Sequence, residues 1–211
     1  MSQPVYIVLE GLEGAGKSSV LRELVEQLTI DGYDVEFVAE PGSTPMAMDI
    51  REIVKKDYPD EKVDPITELL LFFAARRQLL TNTVGPALDA GKIVISDRSY
   101  LSSMAYQGHG SGMIDECLKL TKLVVDREPT YVIYLDVDPA VGLERAANRN
   151  ALDRIEKNGP EYFNAARKFF KSFTTISTAF AEIDANKPFA NVYANVYAKV
   201  MEHLEERGVK K

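Results

Sequence analysis

The sequence contains very little cysteine. Cys117 is the single cysteine among 211 residues, so no disulfide can form within the chain. We interpret it as a small apolar residue on a helix, because no neighbouring motif indicates an activated thiolate. We also expect no signal peptide, and there is no apolar run of membrane-spanning length. These absences predict a cytoplasmic protein without a membrane partner.

The chain also has fewer basic than acidic residues. The chain has 25 Lys and Arg residues against 32 Asp and Glu, a formal net charge of −7. Binding to a polyanion requires a basic surface, so we expect no nucleic-acid partner, and any phosphate site must be a local basic pocket. No Pro/Gly/Ser-rich linker divides the chain, which predicts a single domain over 1–211.

Short apolar runs that end in polar residues alternate with longer helical patterns. This alternation predicts an α/β fold, a parallel sheet with helices on both faces. Ligands of such sheets bind beyond the carboxyl ends of the strands, where Gly11, Glu40, Asp97 and Asp136 fall. The predicted strands are Val5–Glu10, Val35–Ala39, Lys92–Asp97, Tyr131–Asp136 and Phe180–Asp184.

The most specific motif is a phosphate-binding loop. Gly11–Ser18 reads Gly-Leu-Glu-Gly-Ala-Gly-Lys-Ser and lies between a predicted strand and an apolar helical pattern that stops at Asp31-Gly32. Such a loop binds a nucleoside triphosphate, here predicted to be ATP, through backbone N–H groups and the helix N-terminus. Lys17 would reach the β and γ phosphates, and Ser18 would ligate Mg²⁺. The predicted ATP-binding residues are Gly11, Leu12, Glu13, Gly14, Ala15, Gly16, Lys17, Ser18 and Ser19.

Other polar clusters distinguish a kinase from a GTPase, motor or transport ATPase. Asp97 and Arg98 end a predicted strand; the carboxylate suits Mg²⁺ beside Ser18, and the arginine suits a phosphoryl group. The alternative for this pair is an ordinary ion pair at a strand end. Phe72 and Arg76 lie four residues apart on one helix face, where a base could stack and be hydrogen-bonded. The alternative there is a core aromatic beside a surface arginine.

Two further segments complete the pattern. A long helix is predicted to begin at Asp64-Pro65 and to continue to about Ala90. A dense group of charges within 145–160 suggests a lid that closes over phosphates, although a solvated charged loop is the alternative. The predicted lid residues are Arg145, Arg149, Asp153 and Arg154.

Taken together, these motifs resemble the thymidylate kinase family, in its bacterial form, over nearly the whole chain. The resemblance implies a five-stranded parallel sheet, a homodimer and transfer of a phosphoryl group from ATP to dTMP. The matching segments are Gly-Leu-Glu-Gly-Ala-Gly-Lys-Ser at 11–18, Glu-Pro-Gly at 40–42, Phe-Phe-Ala-Ala-Arg at 72–76, Asp-Arg at 97–98, Ala-Tyr-Gln-Gly at 105–108, Leu-Asp-Val at 135–137 and Leu-Asp-Arg-Ile-Glu at 152–156.

The resemblance also implies residue roles. Lys17 would hold the phosphates of ATP, Arg51 and Arg98 would hold the acceptor phosphate in line with the γ-phosphorus, and Arg149 of the lid would complete the clamp. Glu13 would lie near the sugar 3′-hydroxyl. The implied dTMP-binding residues are Glu13, Glu40, Arg51, Phe72, Arg76, Arg98, Ser102, Ser103, Tyr106 and Gln107; among them Phe72 would stack on thymine, Arg76 would bond its carbonyl edge and Tyr106 would lie against the sugar.

Several positions depart from the family pattern. Ala39 stands where an arginine is common, Ser43 replaces a second glycine, and Ser99 replaces a tyrosine or histidine. Ser103 occupies a variable position that faces the pyrimidine. These departures leave open a kinase for dUMP or a 5-substituted dUMP. A phosphate-loop hydrolase and a non-catalytic nucleotide-binding module are the remaining alternatives.

Overall fold

The computed structural model describes residues 3–148, 153–174 and 179–211. Five parallel strands form one sheet in the order β2-β3-β1-β4-β5. They are β1 Val5–Gly11, β2 Val35–Ala39, β3 Ile93–Asp97, β4 Tyr131–Asp136 and β5 Phe180–Asp184. The predicted α/β class and the positions of the five strands are therefore confirmed, with shifts of one residue at β1 and β3.

Helices connect the strands. They are α1 Lys17–Ile30, α2 Pro45–Lys55, α3 Pro65–Leu79, α4 Gly85–Asp89, α5 Tyr100–Ser103, α6 Ile114–Val124, α7 Pro139–Ala147, α8 Pro160–Thr174 and α9 Phe189–Glu206. π-helical turns span Leu80–Val84 and Met104–Gly110. No helix in the described ranges combines the length and apolar character needed to cross a bilayer.

The helix predicted from Asp64 is present but not uniform. Its first turn is capped by the Asp64 carboxylate, which accepts hydrogen bonds from the N–H groups of Ile66 and Thr67, both at 3.0 Å. The π-helical turn separates α3 from α4, and it lies next to Pro86, which has no N–H to continue the regular pattern. The predicted end near Ala90 agrees with the end of α4 at Asp89.

The sheet register brings the functional motifs together. Leu9 of β1 pairs with Asp97 of β3, and Ala39 of β2 pairs with the same Asp97. The chain therefore leaves three adjacent strands at the same edge, where the phosphate-binding loop and the Asp-Arg pair follow directly. The core beneath this edge is built from the buried strands together with α1, α8 and α9.

Candidate active site

A cavity of about 610 Å³ opens at the carboxyl edge of the sheet. Its volume falls in the usual range for a small-molecule site. The predicted site residues that line it are Glu13, Gly14, Gly16, Lys17, Ser18, Ser19, Glu40, Arg51, Phe72, Arg76, Asp97, Arg98, Ser102, Ser103, Tyr106, Gln107, Arg145 and Asp153. Residues separated by more than a hundred positions thus share one cavity.

The phosphate-binding loop forms one end of this cavity. Gly16 lies in the left-handed region at φ 87°, directly before α1. Gly14 passes so close to α7 that a Cβ atom on it would meet the backbone of Gly142. The side chains of Leu12 and Ala15 are buried in the core, so these residues can offer a ligand only their backbone groups. Glycine is therefore required for the loop both to turn and to pack.

Lys17 is held inside this loop. Its Nζ donates to the carbonyl oxygens of Gly11 at 2.9 Å and Leu12 at 3.0 Å. Burial, with a smaller effect of the nearby Arg98 guanidinium, lowers the pKa of Lys17 to about 8. A bound phosphate chain would add negative charge and favour the ammonium form, so the lysine is suited to an anionic ligand.

Asp97 and Ser18 meet beside the loop. The Ser18 hydroxyl donates to Asp97 Oδ2 at 3.4 Å, while the buried Oδ1 of Asp97 has no hydrogen-bond partner among the described residues. No group of three or more His, Cys, Asp or Glu side chains in these ranges could hold a metal ion by itself. One carboxylate and one hydroxyl fit Mg²⁺, because this ion keeps several waters and takes other oxygens from a nucleotide's phosphates.

Arg98 lies across the middle of the cavity. Its Nη2 contacts Glu13 Oε1 at 2.6 Å, and its Nη1 donates to Ser102 Oγ at 3.0 Å. Tyr106 donates to the other Glu13 oxygen at 2.9 Å, and its ring lies 5.3 Å from the guanidinium carbon. Burial alone would raise the pKa of Glu13, but Arg98 and then Lys17 hold it below its ordinary value. Any anionic ligand of this guanidinium would therefore compete with a charged Glu13.

Arg76 and Glu40 form a buried ion pair at the other end of the cavity. Arg76 Nε lies 2.6 Å from Glu40 Oε2, and the two side chains are 3% and 4% exposed. Arg76 Nη2 also donates to the Ser99 carbonyl and to Ser103 Oγ. Its Nη1 is buried and has no partner among the described residues. This guanidinium is thus fixed on one side and retains a donor nitrogen for a ligand.

The remaining residues predicted to bind the acceptor lie around this pair. Phe72 lines the cavity and packs against a small buried cluster formed mainly by α2. Arg51 of α2 donates to the Pro41 carbonyl at 2.8 Å, and the Glu40-Pro41 peptide bond is cis. Gln107 donates to Glu68 Oε1 at 2.9 Å. Phe72, Arg51 and Gln107 thus line the same cavity as the Arg76–Glu40 pair.

The described residues of the predicted lid have different locations and partners. Arg145 belongs to α7, lines the cavity and donates to the Ala185 carbonyl at 3.0 Å. Asp153 pairs with Lys55 at 3.0 Å. Arg154 does not line the cavity, and it donates to the Val54 carbonyl and to Glu68 Oε2. Arg149 lies outside the described residues.

Sequence reasoning missed two acidic residues. Glu68 accepts from both Arg154 and Gln107, so it joins the segment after residue 152 to the cavity wall. The signal was available, because Glu68, Phe72 and Arg76 are spaced by four and share one stripe of α3. Glu10 is fully buried at the end of β1, directly before the phosphate-binding loop. In the sequence Glu10 follows an apolar run, which predicts only that a strand ends there.

One polar strand end does not join the site. Asp136 of β4 accepts hydrogen bonds from Arg167 of α8, at 2.7 Å to Nε and 2.9 Å to Nη2. Tyr134 donates to the same carboxylate at 3.1 Å. Asp136 therefore connects the sheet to α8, and it does not line the cavity.

Comparisons with known proteins agree with this geometry. A sequence profile of the thymidylate kinase family matches residues 9–196. The chain is 46% identical over 207 residues to the thymidylate kinase of Alteromonas mediterranea, covering 95% of this chain and 93% of that protein. It is 43% identical to the enzyme of Idiomarina loihiensis, covering 94% and 98%. The crystal structure of thymidylate kinase from Ehrlichia chaffeensis superposes with a TM-score of 0.74 at 27% identity, covering 95% and 99%.

Proposed function

Since the chain belongs to the thymidylate kinase family, we propose that its cavity transfers the γ-phosphoryl group of ATP to dTMP, giving dTDP and ADP. The family predicted from the motifs is confirmed, and with it an ATP-dependent nucleoside monophosphate kinase. The main support for this proposal is that Lys17, Arg98 and Arg76 line the same cavity. Its phosphate-binding loop suits a donor triphosphate, and its far end suits a pyrimidine.

Different residues hold the phosphates of the donor and of the acceptor. Lys17 and the backbone N–H groups of the loop hold the β and γ phosphates of ATP. Arg98 and Arg51 hold the phosphate of dTMP, one oxygen of which attacks the γ-phosphorus as ADP leaves. This chemistry needs alignment and charge neutralisation rather than a strong base, because charge spreads over the oxygens of a loose transition state. Arg149 supplies a further cation from the lid.

The far end of the cavity selects the acceptor. Phe72 stacks on the pyrimidine, since its ring lines the cavity and is supported from behind by α2. Arg76 Nη1 bonds the carbonyl edge of the base, because the other guanidinium nitrogens already have protein partners. Tyr106 and Glu13 lie against the deoxyribose, where their mutual hydrogen bond fixes both side chains.

Mg²⁺ is part of the proposal. Asp97 and Ser18 would hold it, supported by the unpartnered Oδ1 of Asp97 and by the hydroxyl beside it. When bound, the ion neutralises charge on the phosphate oxygens. We also place this reaction in the cytoplasm, in line with a single unpaired cysteine.

A coupled ADP-release assay tests the acceptor. We expect Mg-ATP turnover to require a monophosphate, to be fastest with dTMP among dTMP, dUMP, 5-hydroxymethyl-dUMP, UMP, dCMP, AMP and GMP, and to stop when EDTA removes Mg²⁺. Preference for another deoxypyrimidine monophosphate would keep the kinase mechanism and move specificity onto Ser99 and Ser103. Turnover that ignores every acceptor would contradict the kinase assignment itself.

A homodimer through α3 and α6 belongs to the same proposal. These helices pack together, and exposed apolar side chains on both, including Leu70 at 51% and Leu118 at 45%, are typical of an interface. We expect Leu118→Glu to convert a dimer to a monomer in analytical ultracentrifugation. Ile30→Glu is the matched control, because Ile30 is 70% exposed on α1. A wild-type monomer, or a Leu118→Glu dimer, would refute this interface.

A further inference from the structure

Glu10 is a buried carboxylate outside the cavity that makes three close hydrogen bonds. It lies on the central strand β1 with 0% exposure. Its Oε1 accepts from the Ser99 N–H at 2.8 Å and from Ser99 Oγ at 2.9 Å. Its Oε2 accepts from Ser102 Oγ at 2.6 Å. A buried carboxylate with hydrogen bonds on both oxygens fixes the groups that donate to it.

These donors surround Arg98. Ser99 follows it in the chain, and the Ser102 hydroxyl that donates to Glu10 also accepts from Arg98 Nη1 at 3.0 Å. Arg98 adopts φ 77°, a left-handed conformation that an arginine keeps only where its surroundings impose it. Its backbone is held by a hydrogen bond from its N–H to the Leu9 carbonyl and by one from Ser96 Oγ to its own carbonyl.

We infer that Glu10 is a positioning residue for phosphoryl transfer: by fixing Ser99 and Ser102, it holds the Arg98 guanidinium at the acceptor phosphate. The inference rests on the proposed role of Arg98. Ser99 contributes to this arrangement, because its hydroxyl donates one of the three hydrogen bonds that Glu10 accepts. The family pattern has tyrosine or histidine at this position.

The charge of Glu10 matters as well as its shape. A carboxylate only accepts hydrogen bonds, so it directs the Ser102 proton toward itself and leaves the serine's lone pairs for Arg98. Burial raises the pKa of Glu10, whereas the Arg98 guanidinium and the Ser102 and Ser99 hydroxyls favour the ionised form. Arg98 is thus linked to Glu10 both electrostatically and through a shared hydroxyl.

Glu10→Gln tests this link with little change in volume. The amide oxygen can keep the Ser99 contacts, but the amide N–H₂ then faces Ser102 and reverses the direction of that hydrogen bond. We expect kcat/KM for dTMP to fall by about tenfold to a hundredfold, as for a slight misplacement of a reacting group. The Kd for dTMP should rise, while the Kd for ATP should change less than about twofold.

A double-mutant cycle with Arg98→Ala separates positioning from general destabilisation. In the Arg98→Ala background, Glu10→Gln should change the dTMP Kd by less than about twofold, because there is no guanidinium left to misplace. Thr130→Val is the control for strand stability. It removes a hydroxyl that bonds the backbone of Tyr6 near the other end of β1, and it should leave both kinetic constants unchanged.

The outcomes distinguish the inference from the proposal beneath it. Equal effects of Glu10→Gln in the two backgrounds, or normal kinetics for Glu10→Gln beside a defective Arg98→Ala, would overturn the positioning role alone. Near-normal turnover by Arg98→Ala would overturn the proposed role of Arg98 and this inference with it. Failure of every acceptor in the ADP-release assay would instead refute the proposed reaction.

Discussion

Replacing Arg98 with alanine is expected to lower kcat/KM for dTMP by about 10³-fold, while the Kd for ATP stays within about twofold of wild type. An arginine that neutralises a transferring phosphoryl group contributes on this scale, because its charge acts in a site shielded from water. The change also leaves Glu13 without the partner at 2.6 Å, so the pKa of Glu13 should rise toward its ordinary value. Use of dTMP as the acceptor should therefore fail, while ATP binding is retained.

Steady-state kinetics with dTMP varied, together with calorimetric binding of ATP, measure both halves of this expectation. Arg127→Ala is the control, because Arg127 forms a pair with Asp89 in which the two side chains are 47% and 69% exposed. Arg98→Lys should lie between wild type and Arg98→Ala, since lysine keeps the charge without the planar fork. Near-normal turnover by Arg98→Ala would refute the assignment of this residue to the acceptor phosphate.

Replacing Arg76 with methionine should lower the free energy of unfolding by about 3–5 kcal/mol and weaken dTMP binding as well. The reason is that Glu40, whose side chain is 4% exposed, would lose its ionic partner inside the protein. Burial already raises the pKa of Glu40, and Arg76 opposes that rise. Without Arg76 the pKa of Glu40 in the folded state should rise further above its unfolded value. The stability deficit relative to wild type should therefore grow as the pH rises above the pKa of Glu40 in the folded wild-type protein.

Urea unfolding of wild type and variant across this pH range provides the measurement. Arg77→Met is the matched control on the same helix, because Arg77 pairs with Asp126 in an exposed ion pair worth less than about 1 kcal/mol. The double variant Arg76→Met with Glu40→Gln should recover part of the loss, since no unpaired charge is then buried. Equal losses for Arg76→Met and Arg77→Met would show that the buried pair does not stabilise the fold.

Much of the fold could be predicted because its signals are local. Apolar runs ending at Glu10, Ala39, Asp97 and Asp136 located strands to within one residue. Asp64 before a proline located the start of α3, where its carboxylate caps the first turn. The π-helical turn at Leu80–Val84 was not predicted, since it changes the backbone without changing the pattern of buried side chains.

The site was predictable where a motif is contiguous and less so where partners are distant. The phosphate-binding loop needs its glycines for its own conformation, so eight residues define it. Arg154 was predicted only as a lid residue, and its ion pair with Glu68, 86 positions earlier in the chain, was not predicted. Glu10 and Glu68 were missed for the same reason, because their partners follow them by 39 to 92 positions.

The sequence by itself determined the phosphate-binding loop, the parallel sheet and the order of motifs that identifies the family, because each depends on residue types at short spacing. Tertiary structure decided which charges pair: Arg98 with Glu13, and Arg76 with Glu40. A guanidinium accepts any carboxylate of suitable geometry, so its partner depends on distances that exist only after the strands are in register. In this protein the register of β1, β2 and β3 supplied those distances.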